Sequence, residues 1–149
     1  MLVRDVMIKS VFTLNLSDNF RRIVKLLSRK KISGAPVVNK RGKVVGIISE
    51  KDLFHKLFPS QKMFYKDPEY FMNFDRLEKD AKGISKVTAK KIMSRKVFFV
   101  EPEDHVLKAC SLFVMHNVRR LPVLTKGKLV GIVTTGNIYR NFLLHVVGK

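Results

Sequence analysis

The chain has 149 residues, of which 46% are hydrophobic, a composition that fits one domain or two small halves sharing a core and excludes a disordered chain. Its formal net charge of +18 favours anionic partners, such as nucleotide phosphates, nucleic acid or an acidic protein surface. No apolar run approaches the ~18 residues of a membrane span, and no signal-peptide core follows Met1. A single cysteine cannot form an internal disulfide, which fits a reducing compartment. Together these features predict a cytoplasmic protein without a membrane partner.

The first elements of the chain predict a strand followed by an amphipathic helix. After a leading Val6–Met7 pair, the run Val11–Leu14 predicts a short strand. Ser17 is the predicted N-cap of the helix that follows, in which apolar residues recur at the 3.6-residue period of an α-helix. These apolar residues are Phe20, Ile23, Val24 and Leu27.

A hairpin and a second helix complete the first half of the chain. Pro36–Val38 and Val44–Ile48 predict two strands, joined by a polar turn that contains Gly42. Because proline has no N–H to donate, Pro36 should begin its strand or lie at the edge of a sheet. A new apolar period from Leu53 to Phe58 predicts the second helix, so this half has the order β-α-β-β-α.

The second half repeats the first when Met93 is placed over Met7. Ile92–Met93 then matches the leading pair, and Leu121–Leu124 matches the strand that begins at Ala35. Cys110 falls on the apolar face of the matching helix, so we interpret it as a small core residue rather than a reactive thiol. A single unit of this size buries too little surface to be stable alone, so the two should pack as a pair.

The repeats occupy residues 1–58 and 88–149, and residues 59–87 form a connector between them. This connector is too rich in aromatic residues for a free linker. We expect a lid or a helical excursion that packs on another surface, which a second subunit could provide. Its large apolar residues are Phe64, Tyr65, Tyr70, Phe71, Met72 and Phe74.

Each hairpin ends in the same eight-residue pattern, which we call the octet: Gly46–Leu53 in the first half and Gly131–Ile138 in the second. A glycine and a β-branched run predict a strand, and a hydroxyl residue followed three positions later by Asp or Asn predicts the start of a helix. Two interpretations fit these polar residues. They cap the helix, or the hydroxyl and the carboxylate bind the phosphate and the ribose of a nucleotide at the helix N-terminus. They are Ser49 and Asp52 in the first octet and Thr134 and Asn137 in the second.

Taken together, the duplicated unit, the leading pairs, the Pro-Val strands and the octets resemble a pair of CBS domains, a Bateman module, over nearly the whole chain outside the connector. The resemblance implies an α/β (α+β) fold, in which tandem β-α-β-β-α CBS repeats pack about a pseudo-twofold axis. It implies a regulatory sensor rather than an enzyme, with AMP, ADP, ATP or S-adenosylmethionine bound in a cleft between the repeats. The implied partners are a second copy of the pair, which forms a homodimer, and an effector protein. No cofactor is implied, and Mg²⁺ is expected only if the ligand is ATP.

The resemblance also implies the roles of particular residues. In nucleotide-binding members the acidic residue of the octet holds the ribose and the hydroxyl residue lies near the phosphates, which points to Asp52 with Ser49 and Lys51. Thr134 and Asn137 are the equivalent pair without the charge. Basic residues often precede the Pro-Val strand in this family, and the second half has Arg119 and Arg120 there, where the first has Ser33–Gly34.

We therefore hypothesise one strong site, in which Asp52 and Ser49 bind the ribose end of the ligand and Arg119 and Arg120 reach its phosphates across the axis, because guanidinium groups suit phosphate oxygens. The implied base pocket consists of Thr13, Gly34, Ala35 and Pro36. Phe99 takes the place of Thr13 in the second half, where it would either stack on a base or fill an empty cleft.

Two other classes of function remain. A nucleic-acid-binding protein is the alternative, because the helix from Arg21 to Lys31 and its exit carry six basic residues, although such a run is usually a solvated helix face. An enzyme is not expected, since the four histidines show neither metal-ligand spacing nor a partner nucleophile.

Overall fold

The computed structural model describes residues 1–58 and 61–148. It is a mixed α/β structure, which confirms the predicted fold class. Its helices and strands, in chain order, are α1 Val3–Val6, β1 Leu14–Asn15, α2 Phe20–Lys30, β2 Gly34–Val38, β3 Val44–Ser49, α3 Glu50–Leu57, α4 Gln61–Lys66, α5 Pro68–Met72, α6 Phe74–Gly83, α7 Ala89–Ile92, α8 Val106–His116, β4 Arg120–Thr125, β5 Lys128–Thr134, α9 Thr135–Ile138 and α10 Leu144–Val147.

Two compact units make up the chain, and they do not coincide with its sequential halves. The first, which we call the arginine unit because it holds Arg119 and Arg120, comprises Met1–Phe12, Lys40–Val45 and Lys96–Lys149. The second, which we call the aspartate unit because it holds Asp52, comprises Thr13–Asn39 and Gly46–Arg95. The leading segment of each half therefore packs with the hairpin and helices of the other half.

Reciprocal backbone hydrogen bonds attach each leading segment to a strand. In the arginine unit, the N–H of Ile8 donates to the carbonyl of Ile132 and the N–H of Ile132 donates back, both at 2.9 Å. In the aspartate unit, Ile47 and Ser94 exchange the same pair of bonds at 3.0 Å. The two units thus use one mode of attachment, which joins residues far apart in the sequence.

A methionine from the leading segment occupies the space beside each octet glycine. A Cβ atom on Gly131 would lie 2.7 Å from the Sδ of Met7, and one on Gly46 would lie 2.8 Å from the Cγ of Met93. Neither glycine has a positive φ, so close packing and not backbone conformation requires glycine here.

The core of the arginine unit is apolar and includes residues from the leading segment. Val3 is fully buried with Leu121 and Val133, and Cys110 packs against this cluster. Burial raises the pKa of the Cys110 thiol, which disfavours the reactive thiolate at neutral pH. This environment agrees with the interpretation of Cys110 as a small core residue.

The first half has the predicted order β-α-β-β-α. Its strands form one sheet in the order β1-β2-β3, with β1 parallel to β2 and Leu14 opposite Val37. In the second half, β4 and β5 pair antiparallel, and the strand predicted before α8 is reduced to a single bridge between Val100 and Val123.

The turn between β2 and β3 contains Gly42, as predicted. Gly42 has a φ of 77°, a left-handed conformation that explains why glycine occupies this turn.

Three local predictions are wrong. The strand predicted at Val11–Leu14 spans only Leu14–Asn15. The N-cap of α2 is Asn19, whose side chain accepts a hydrogen bond from the N–H of Arg22, and not Ser17. The helix begins later because the carboxylate of Asp18 folds back onto the N–H of Asn15 at 2.8 Å and closes a turn first.

Pro36 is the third error, because it lies inside β2, the central strand of the sheet. A proline is tolerated there because β1 is only two residues long. Its pairing with β2 covers Val37 and Val38 and does not extend back to Pro36, so no hydrogen bond from that position to β1 is needed.

The connector is helical over residues 61–86, where α4, α5 and α6 are followed by a short 3₁₀ turn. Pro59 and Ser60, at its start, lie outside the described residues. The rings of Phe64 and Phe71 pack edge to face, 5.6 Å apart, and the Tyr70 hydroxyl donates to Asp80 at 2.6 Å. That hydrogen bond raises the pKa of Tyr70. The connector therefore has internal contacts of its own, in addition to those with α3.

Candidate functional site

The first octet forms a capping box at the start of α3. The backbone N–H and the hydroxyl of Ser49 both donate to Oδ2 of Asp52, at 2.8 and 2.9 Å, and the N–H of Asp52 donates to the hydroxyl of Ser49 at 3.4 Å. These bonds satisfy N–H groups that a helix leaves unpaired at its N-terminus. The capping interpretation of the octet is therefore confirmed, and the carboxylate is held in one orientation.

The second octet forms the same box at the start of α9. The N–H and the hydroxyl of Thr134 donate to Oδ1 of Asn137 at 2.9 and 2.8 Å, and the N–H of Asn137 donates to the hydroxyl of Thr134 at 3.2 Å. An asparagine thus makes every cap hydrogen bond that the aspartate makes in the first octet. The charge of Asp52 is not needed for capping.

The two boxes differ in what they leave available to a ligand. Asp52 is half-buried, whereas Asn137 is only 5% exposed. Within residues 1–58 and 61–148, no hydrogen bond reaches the other carboxylate oxygen of Asp52, Oδ1. The first box therefore presents a fixed, charged acceptor that its cap does not use, which is the chemistry that a ribose diol requires.

In each unit, the start of the Pro-Val strand lies beside the capped helix start. The N–H of Glu50 donates to the carbonyl of Ser33 at 2.9 Å, and the N–H of Thr135 donates to the carbonyl of Arg119 at 3.0 Å. Arg120 lies opposite Thr134 in the pairing of β4 and β5. The structure therefore brings the arginine pair to the second box and the Ser33–Gly34 pair to the first.

The predicted site residues thus fall into two groups. The arginine unit contains Arg119, Arg120, Thr134 and Asn137, and the aspartate unit contains Ser49, Lys51, Asp52, Thr13, Gly34, Ala35 and Pro36. Of the residues predicted for the base pocket, Gly34, Ala35 and Pro36 are buried, and Thr13 is exposed just before β1. Phe99, at the matching position of the second half, is 49% exposed.

Arg140 is a candidate that the sequence reasoning missed. A Cβ on Gly136 would lie 3.5 Å from Nη1 of Arg140 and 3.8 Å from the hydroxyl oxygen of Thr134, so the guanidinium lies close to the second box. The signal in the sequence is a glycine within the octet, where the first octet has Lys51, and an arginine four residues later. With Arg119 and Arg120, it makes this end of the arginine unit strongly cationic.

The described residues were compared with the requirements of a metal site and of a membrane span. Over residues 1–58 and 61–148, no three His, Cys, Asp or Glu residues are grouped so that they could hold a metal ion. No helix in the described part of the chain has the length and apolar character needed to cross a membrane.

Each half contains a helix, a hairpin and a further helix, and a capped octet joins the hairpin to that last helix, so the chain is a tandem-repeat domain pair. The CBS domain pattern matches residues 3–59 and 89–143, and the chain belongs to the CBS domain family. This confirms the resemblance seen in the sequence.

Relatives and solved structures agree with this membership. The chain is similar to protein MJ1426 of Methanocaldococcus jannaschii, with 34% identity over 93% of this chain and 89% of that protein. It is also similar to a CBS domain-containing protein of Dictyostelium discoideum, with 36% identity over 92% of this chain and 88% of the relative. Among solved structures, CBSX2 in complex with AMP is 26% identical, with a TM-score of 0.73 over 99% of this chain and 98% of CBSX2.

Proposed function

We propose that the protein is a regulatory sensor that binds an adenosyl ligand, namely AMP, ADP, ATP or S-adenosylmethionine. The observation that carries the proposal is the first capping box, which holds Asp52 half-buried with one carboxylate oxygen unused by the cap. Two hydroxyls of a ribose are suitable donors to that carboxylate. The AMP complex of CBSX2, which shares 26% identity with this chain, supports the same ligand class.

The arginines supply the chemistry for the phosphate end of such a ligand. Arg120 is the first residue of β4 and Arg119 directly precedes it, and Arg140 approaches the same box. No ion pair within the described residues engages Arg119 or Arg140, so both guanidiniums remain available to an anion. The hypothesis that Asp52 and this arginine pair hold one and the same ligand stays a prediction.

A thermal-shift panel of AMP, ADP, ATP, S-adenosylmethionine and NADH tests the proposal. A ligand at ~100 times its dissociation constant should stabilise the native state by about 2.7 kcal/mol, because it binds only the folded protein. Guanosine and cytidine monophosphates are the controls, since they share ribose and phosphate but not the adenine. Equal shifts with all nucleotides, or none with any adenosyl compound, would refute an adenosyl sensor.

A double-mutant cycle then tests whether the two groups of residues act on one ligand. Asp52→Asn and Arg120→Ala are measured singly and together by calorimetric titration of the ligand that gives the largest shift. If both residues contact one bound molecule, the coupling energy should exceed about 0.5 kcal/mol. Strictly additive losses would place the aspartate and the arginine at separate sites.

We further propose that two copies form a homodimer, from which an effector protein senses the ligand state. The support is an uncharged stripe on α8, formed by Leu107, Ser111, Val114 and Met115, in which the three apolar residues are 52%, 83% and 72% exposed. A surface with a net charge of +18 repels its own copy, so an uncharged stripe is where two copies can meet at least electrostatic cost.

Val114→Glu should therefore convert the dimer to a monomer, because it buries a charge in the contact. Light scattering after size exclusion measures the mass. Ser28→Glu is the control, since Ser28 is the position on α2 that matches Val114 and receives the same added charge. A wild-type monomer, or a Val114→Glu dimer, would contradict this assignment of the interface.

A further inference from the structure

A line of cations runs along one exposed face of α2. Arg21, Lys25 and Arg29 are spaced four residues apart, and Arg22 lies beside the first of them. All four side chains are exposed, and we call them the basic stripe. Together with Asn19 and Leu26 they line an open depression of about 460 Å³.

The folding of α2 does not explain the basic stripe. Cations in the first turn of a helix oppose its dipole, and like charges four residues apart repel each other. Within the described part of the chain, Arg22 is the one member of the stripe with an acidic partner, Asp18, at 3.1 Å. Across the described residues, no ion pair involves Arg21, Lys25 or Arg29, and α2 itself contains no acidic residue. Arg29 lies in the last turn, where a cation favours the helix dipole, so the uncompensated cost to the helix comes from Arg21 in the first turn and from the repulsion along Arg21, Lys25 and Arg29.

The matching helix shows that the fold does not require the charges of Arg21, Lys25 and Arg29. The position of Arg22 does keep a cation there, Lys108, which pairs with Asp104 at 2.8 Å as Arg22 pairs with Asp18. When α8 is aligned with α2 by the two N-caps, His105 and Asn19, the positions of Arg21, Lys25 and Arg29 are occupied by Leu107, Ser111 and Met115. The buried positions of the two helices remain apolar. The same kind of helix thus carries an uncharged row on α8 and a cationic row on α2. The three charges are therefore a feature of the exposed surface and are not required for packing of the helix.

We propose that the basic stripe binds the phosphate backbone of a double-stranded nucleic acid without reading its sequence. Four residues of α-helix rise about 6 Å, so the cations form a regular line whose spacing is close to that of successive phosphates along one strand. A regular polyanion satisfies this line better than the irregular charges of an acidic protein surface. The stripe contains no aromatic side chain on which unpaired bases could stack, which favours a duplex over a single strand.

Fluorescence anisotropy with labelled DNA and RNA duplexes, measured over a salt series, tests this proposal. The triple variant Arg21→Ala/Lys25→Ala/Arg29→Ala should bind at least about 10-fold more weakly, and the slope of log affinity against log salt should become shallower by about 2 to 3. The matched control is Lys62→Ala/Lys66→Ala/Lys79→Ala, which removes three exposed cations of α4 and α6 and lowers the net charge equally. It should bind nearly as well as the wild type.

Three outcomes would overturn the proposal. The first is that the wild-type protein does not bind either duplex at low salt. The second is that the two triple variants lose affinity equally, since this would make the effect one of total charge. The third is that polyglutamate or a single strand competes as well as the duplex at the same charge concentration. The thermal midpoint of the stripe variant should equal or exceed that of the wild type, because the substitutions relieve repulsion in α2, so lost binding could not be ascribed to unfolding.

Discussion

Asp52→Asn should weaken binding of the adenosyl ligand by about 10- to 100-fold, which corresponds to the loss of a charge-assisted hydrogen bond. The substitution is informative because Asn137 shows, in the same chain, that asparagine completes this capping box with the same bonds at 2.8 to 3.2 Å. The fold should therefore remain intact while the charge is lost. Calorimetric titration measures the dissociation constant, and thermal unfolding checks that the cap persists.

Glu50→Gln is the control for this result. Glu50 lies in the first turn of α3, as Asp52 does, but it is exposed and takes no part in the capping box. Its substitution changes the net charge by the same amount, so it reports the general electrostatic effect on an anionic ligand. If Glu50→Gln changed the affinity as much as Asp52→Asn, or if Asp52→Asn bound normally, Asp52 would be a cap and not a ribose ligand.

Gly46→Val should lower the free energy of unfolding by about 1 to 3 kcal/mol, because the new side chain overlaps a position that is already filled. A Cβ at Gly46 would meet the Cγ of Met93 at 2.8 Å and its Cβ at 3.0 Å. Met93 is held in place by the two hydrogen bonds between Ile47 and Ser94. Urea denaturation measures the loss of stability.

Two further variants test the cause of that loss. Met93→Ala should relieve the overlap, so the double variant should be more stable than the sum of the single effects by at least about 0.5 kcal/mol. Gly83→Val is the control, because a Cβ at Gly83 has no neighbour within 4 Å and its φ is not positive. Additive effects of the Gly46 and Met93 substitutions would mean that the leading segment does not pack on this strand in solution.

The capping box connects stability with ligand binding. Ser49 and Asp52 satisfy the start of α3 whether or not a ligand is present, so the carboxylate is oriented before the ligand arrives. The second box is equally well capped but buries its amide, and it lies beside the arginines. The two copies of one motif thus keep the same structural role and differ in the chemistry they offer to a ligand.

Several features followed from the sequence because they depend on residues a few positions apart. The strand, turn and helix periods, the order β-α-β-β-α and the hydroxyl-x-x-Asp capping pattern are of this kind, and the duplication of these signals was sufficient to identify the family. The position of Asp52 in a capping box is likewise local. The half-buried state of the Asp52 side chain could not be predicted from these local patterns, because burial depends on which residues pack around it.

Only the tertiary structure decided which leading segment packs on which hairpin. Val6–Met7 and Ile92–Met93 are nearly equivalent in sequence, so either could have fitted either octet glycine, and no local signal distinguishes the two arrangements. The choice is made by backbone hydrogen bonds between residues more than forty positions apart, Ile8 with Ile132 and Ile47 with Ser94. The approach of Arg140 to Gly136 likewise depends on the missing Cβ of the glycine and on the path of the chain after α9. Neighbouring residues determine the elements, whereas pairing between distant residues determines how those elements form the two units.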